Sequence, residues 1–236
     1  MISRRMLDNM PLPQIIAIDG PSASGKSTIA EVMGRELGYL YFDTGLMYRA
    51  VTLAALNKYH SVENEGLVSE LAHKMEIDVR PSSVADGRKC DVLVDGQDVT
   101  WEIREPEVEA HVSQVSAYPE VRKAMTLQQR KIGLRGKVVM VGRDIGTVVL
   151  PEAELKIFLD ASVEERARRR YEENARRGDP LNYEDILAAM RRRDKIDSTR
   201  AIAPLKAAED AIWVETDGLT IEQVLLKVLG LVYAAE

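Results

Sequence analysis

Apolar residues along this chain fall into short continuous runs, and the stretches between them carry apolar positions at helical spacing. "QIIAIDG" (Gln14 to Gly20) is the first run, and its length and Asp-Gly ending suit a buried strand. From Lys26 the period changes: Ile29, Val32, Met33 and Leu37 recur at helical spacing, and Gly38 supplies a stop. "YLYFD" (residues 39–43), "VVMVG" (Val138 to Gly142), "LKIFLD" (Leu155 to Asp160) and "AIWVET" (Ala211 to Thr216) repeat the strand pattern. Strands alternating with helices predict an α/β fold, a five-stranded parallel sheet with helices on both faces.

Between about Met75 and Thr100 the pattern alternates every second residue around Asp95-Gly96, which predicts a small antiparallel sheet inserted into the α/β order. Two helices divided near Pro119 follow it. "DASVEERARRRYEENARRGDP" predicts a helix opened by a Ser162/Glu165 capping box and stopped by Gly178, with Pro180 beyond. A similar box, Thr220/Gln223, opens the last helix.

Composition narrows the class. The 236 residues fit one domain carrying an inserted part, and 45% hydrophobic content supports a sizeable core. A net charge of −6 argues against non-specific nucleic-acid binding by the whole chain. Ten of the 32 basic residues are nevertheless arginines between Arg166 and Arg200, so positive charge is concentrated there. The lone Cys90 excludes an internal disulfide or a cysteine-rich zinc site and fits a reducing compartment. Residues 1–13 lack the apolar core of a signal peptide and read as a short disordered extension. The apolar runs are too short to span a bilayer. A cytoplasmic protein that uses neither membrane nor nucleic acid is expected.

The chemistry starts at "GPSASGKST", which matches G-x-x-x-x-G-K-[ST] between a predicted strand and a predicted helix. Gly20, Pro21, Ser22, Ala23, Ser24, Gly25, Lys26, Ser27 and Thr28 would then ring the phosphates of ATP with backbone N–H groups at a helix N-terminus. Lys26 would reach the β/γ oxygens, and the Ser27 hydroxyl would help to hold Mg²⁺. An Asn-Lys-x-Asp base-reading motif is absent, which disfavours a switch GTPase, and a motor would need more domains. A small phosphotransferase remains.

Its acceptor is to be sought where the chain leaves the other strands, because ligands of open α/β sheets bind at the strands' carboxyl ends. "DTGLMYRA" (Asp43 to Ala50), "GRDIGT" (Gly142 to Thr147) and "AMRRRDKIDSTRAIAP" (Ala189 to Pro204) each combine Arg with Asp or Thr. Together with "IDGPSASGKST", "YFDTGLMYRAVTLAAL", "SQVSAYPEVR", "KIFLDASVEERARRR", "RDKIDSTRAIAPLKAAEDA" and "TDGLTIEQV", they make nearly everything from Gln14 onward resemble the bacterial cytidylate kinase family.

That resemblance implies a P-loop NTPase core, an acceptor-binding insertion with the small antiparallel sheet, and a helical lid. It implies a core of 14–42 and 113–236, an insertion of about 43–112 and a lid of about 162–182, all in one domain. The implied reaction is transfer of the γ-phosphoryl group of ATP to CMP or dCMP with Mg²⁺, in pyrimidine metabolism, by what we expect to be a monomer. Residue by residue, the family pattern puts Thr44 near the acceptor and Arg49 on the CMP phosphate. Ser113, Arg122 and Asp144 match positions that read the cytosine edge, and Arg143 faces the phosphate. Arg193 and Arg200 match arginines near that phosphate, and Asp197 the carboxylate that meets the sugar. Arg193, Lys26 and the lid arginines would neutralise the transferred group. Arg169, Arg170 and Arg177 are the candidates in the lid, and the choice among them stays open.

By residue type alone, Arg49 also reads as a surface ion pair, Ser113 as a polar helix position and Asp144 as an N-cap. Another kinase of this fold, acting on a different nucleotide or on dephospho-coenzyme A, is the alternative within enzymes. A nucleic-acid-binding regulator would want aromatics among the arginines, yet Tyr171 is the only one from Arg166 to Arg177. Helical sorting divides the last basic cluster. Ile186, Met190, Arg193, Asp197 and Arg200 share one side if the helix persists, whereas Arg191, Arg192 and Lys195 fall elsewhere.

Overall fold

A computed structural model describes residues 12–178 and 181–234. Residues 1–11 of the expected extension, Pro180 and the Arg177 side chain lie outside what is described. All five expected strands form: β1 (Ile15–Asp19), β2 (Leu40–Asp43), β6 (Val138–Gly142), β7 (Leu155–Asp160) and β8 (Ile212–Glu215). They make one sheet in the order β2-β6-β1-β7-β8, and every pair is parallel.

The continuous apolar runs are explained by burial of both faces. Ile16 and Ile18 of β1, Val139 and Val141 of β6, and Leu155, Ile157 and Leu159 of β7 turn one way. There they pack with Ile29 and Met33 of α1 (Lys26–Leu37) and with Val224, Val228 and Val232 of α8 (Ile221–Ala234). Alternate residues Ala17, Val138 and Met140 turn to the opposite layer. That layer holds α2 (Gly45–Tyr59), α4 (Pro106–Val115) and α5 (Pro119–Gly133), the last two divided at Pro119 as expected.

The expected small sheet is present as β3 (Ile77–Pro81), β4 (Cys90–Val94) and β5 (Gln97–Asp98), antiparallel in that order. Asp95 and Gly96 both adopt positive φ, 50° and 82°, as a two-residue hairpin turn requires. Val79 and Val92 of this sheet enter the same apolar cluster as α2, so the inserted segment shares one core with a face of the parallel sheet. Helix α3 (Glu65–Lys74) completes it, capped by the Asn64 side chain.

Parallel strands bring their carboxyl ends to one side: Asp19 aligns with Gly142 and with Phe158. Over that side lie α6 (Val163–Arg177) and α7 (Tyr183–Thr199). The Thr220/Gln223 box closes in both directions, at 2.9 and 3.3 Å. The Ser162/Glu165 box closes in one only. Ser162 Oγ accepts from Glu165 N, but Ser162 N donates to Asp217, and the Glu165 carboxylate is drawn to Arg168 and Arg169.

One glycine sets how the sheet meets the phosphate loop. Gly20 has φ 148°, and a Cβ built on it would stand 2.0 Å from the Leu159 carbonyl oxygen. Gly20→Ala should therefore cost about 3 kcal/mol through clash and backbone strain. In thermal unfolding that is a Tm lower by roughly 6–12 °C for a chain of this size; an unchanged Tm would contradict the packing described.

Candidate active site

The loop after β1 has the form that a phosphate needs. Gly25, with φ 94°, turns the chain into α1 without a side-chain cap, leaving the first N–H groups of the helix for a ligand. Lys26 is buried, and its ammonium donates to Pro21 O and Ser24 Oγ. Burial, with Arg143 nearby, holds it well below the ordinary lysine pKa. Ser27 Oγ donates to Asp43 Oδ2 at 2.9 Å, and Asp43 Oδ1 accepts from Gly45 N at 3.0 Å. Asp43 closes β2 and opens "DTGLMYRA", a segment the sequence marks for the acceptor rather than for a contact with Ser27.

Asp19, the last residue of β1, accepts from the backbone N–H groups of Ile145 and Gly146, both at 2.8 Å. It thereby ties the turn Ile145–Val149 to the end of β1. Burial pushes the Asp19 carboxyl up to about 6, against those two hydrogen bonds. Its place next to the phosphate loop was the one available signal.

A cleft of about 1430 Å³ runs from the phosphate loop across the strand ends to α4 and α7. Its far wall is an alternating chain of ions. Arg143 Nε meets Asp197 at 2.9 Å, Asp197 meets Arg200 at 3.5 Å, Arg200 meets Asp144 at 3.3 Å, and Asp144 meets Arg122 at 2.8 Å. Arg122 also donates to Ser116 O and lies 5.3 Å from the Tyr48 ring centre. Asp144 thus serves two arginines and makes no side-chain cap.

Arg193 lines the same cleft and has no hydrogen-bonded or ion-paired partner among the described residues. Burial and the charge of Arg143 hold its pKa below that of an ordinary arginine. Arg49 lines the cleft too, paired with Glu109 of α4, whose carboxyl, despite its burial, is held low by Arg49. Thr44 is buried and donates to Val141 O at 2.9 Å. Ser113 is half-buried, and its carbonyl accepts from the Ser116 hydroxyl; the cleft wall here is formed by Val112 and Ser116.

The helix sorting of the basic cluster holds in part. Ile186, Met190 and Asp197 are buried, and Arg191, Arg192 and Lys195 are exposed. Helix α7 ends at Thr199, so Arg200 reaches Asp144 from an extended residue just past the helix. In α6, Arg169 lines the cleft but gives its donors to Glu165 and to the Oγ1 and carbonyl of Thr216. Arg170 pairs with Glu173 and is half-exposed at the cleft. Among the described residues, no group of three or more His, Cys, Asp or Glu side chains could hold a metal ion by itself, and no helix is long and apolar enough to cross a membrane.

The family model described as cytidylate kinase matches residues 16–234. A cytidylate kinase from Chloroflexus aggregans is 52% identical over 228 residues, covering 96% of this chain and 97% of that protein. One from Bacillus subtilis is 48% identical over 214 residues, covering 91% and 94%. A solved structure of an uncharacterized protein from Eubacterium ventriosum shares the fold with a TM-score of 0.50 at 11% identity, over 94% of this chain and 99% of that one.

The Asp19 carboxyl gives the folded chain a pH signature. It keeps its proton to about pH 6 when folded and to 3.8 when unfolded, so its contribution to stability is full below 3.8 and lost as the pH rises through about 6. Asp19→Asn has no such titration. The stability of wild type relative to this variant should fall by about 2 kcal/mol between pH 4 and pH 7. Denaturant melts at several pH values measure it, and a difference that does not change with pH would refute the assignment.

Proposed function

This chain belongs to the cytidylate kinase family, and we infer from that premise that it transfers the γ-phosphoryl group of ATP to CMP or dCMP. The observation that carries this reading is Arg193. A half-buried cation without a hydrogen-bonded or ion-paired partner among the described residues, in one cleft with Lys26 and three more arginines, calls for an anion between them. A transferring phosphoryl group is such an anion.

The residues divide accordingly. Gly20 to Thr28 hold the ATP phosphates, and Lys26 meets the β/γ oxygens. Arg49, Arg143, Arg193 and Arg200 bind the acceptor phosphate, Arg122 and Asp144 read the cytosine edge with Ser113, and Asp197 meets the sugar. Thr44 shapes the floor beneath them. The segment of about 43–112 forms the acceptor side, and about 162–182 the lid. Of the two candidates whose side chains are described, Arg170 is the better placed to act, because it lines the cleft half-exposed and its charge is felt at Glu109, whereas Arg169 is held by Thr216.

The attacking oxygen belongs to the acceptor phosphate and is ionised at neutral pH, so no general base is required. Catalysis is positioning plus neutralisation of charge. Ser27 and Asp43 offer a hydroxyl and a carboxylate, the hard oxygen donors that suit Mg²⁺. When bound there, the ion would neutralise charge on the phosphate oxygens. Lid closure keeps water from the γ-phosphoryl group. The residues assigned to both nucleotides line one cleft of a single chain, so a monomer suffices, and the buried Cys90, outside any disulfide, suits a cytoplasmic setting.

A coupled ADP-release assay with ATP·Mg²⁺ and a panel of nucleoside monophosphates tests the acceptor. Turnover should be confined to CMP and dCMP, and a preference for AMP, UMP or dTMP would overturn it. Lys26→Ala should lower kcat by about a hundredfold or more with an unaltered circular dichroism spectrum. Near-normal turnover would remove Lys26 from its role.

A further inference from the structure

Arg166 belongs to none of the residue sets described above, yet it joins three parts of the site. Its side chain is 5% exposed and forks onto both oxygens of Asp194, at 3.1 and 2.6 Å. Its Nε donates to Ala161 O beyond β7, and its Nη1 donates to Ser22 O in the phosphate loop at 3.2 Å. Asp194 adjoins Arg193 on α7. One buried guanidinium therefore connects the phosphate loop, the base of the lid helix and the helix that carries Arg193.

The next loop residue shows what this contact has to hold. Ala23 has φ 61°, a left-handed conformation that costs an L-residue energy and persists only where its surroundings enforce it. In a trans peptide the carbonyl and the following N–H point to opposite sides. A Ser22 carbonyl drawn back to Arg166 thus leaves the Ala23 N–H facing the cleft, which Ala23 lines.

We propose that Arg166 is a positioning residue that, braced by Asp194, holds the Ser22–Ala23 peptide in its left-handed turn and so presets the loop for the triphosphate. The inference rests on the reading of this loop as the ATP site.

A double-mutant cycle tests it, with ATP dissociation constants measured by calorimetry on the full chain and thermal melts taken alongside. Arg166→Lys should weaken ATP binding about tenfold when residue 23 is Ala. In the Ala23→Gly background the same change should cost less than about threefold, because glycine takes positive φ freely. Loss of side-chain packing alone would give equal losses in both backgrounds, and that result overturns the inference. Should Arg166→Lys fail to fold, Asp194→Asn replaces it in the same cycle with the same expected pattern. If the wild-type chain binds no ATP, the reading of the loop falls first; if it binds and the losses are equal, only the inference falls.

Discussion

The site depends on keeping positive charge away from water without letting it be cancelled. Isolated buried charges are costly, and paired ones are tolerated when each has partners. In the chain Arg143–Asp197–Arg200–Asp144–Arg122, two carboxylates hold three guanidinium groups in place. The carboxylates fix geometry while the excess of arginine remains for a ligand. Arg193 and Lys26 extend that excess across the cleft. The order of charges also fastens α5, the turn after β6 and the end of α7 to one another, so the same contacts shape the wall and charge it.

The sheet makes that arrangement possible. With every strand parallel and both faces covered, the carboxyl ends lie together, and the loops leaving β1, β2 and β6 converge. Asp19 links two of those loops through backbone hydrogen bonds alone. Its contribution is thus independent of which side chains stand at 145 and 146.

Burial on both faces is also why the strands were legible. It produces unbroken apolar runs, and "VVMVG" coincides with β6 residue for residue. Helical sorting worked where helix geometry governs, as at Asp197 and Lys195. At Arg200 it arrived at the right neighbourhood for a different reason, since the helix has already ended. Partners were less legible. The pairing of Arg166 with Asp194 spans 28 residues and exists only because α6 packs on α7. The engagement of Asp43 with Ser27, and of Ser162 N with Asp217, likewise depends on segments that meet only in three dimensions. Periodicity reports which face is buried and is silent about what lies against it.

The strand order has a consequence for how the chain is made. β1 is central, and both of its neighbours, β6 and β7, come more than a hundred residues later. Gly20 takes its place against the carbonyl of Leu159. The phosphate loop is synthesised well before β7, against which Gly20 packs, and such distant pairings form slowly. The loop is therefore made long before the strand that completes it, and a chain truncated before β7 would carry the motif without its fold.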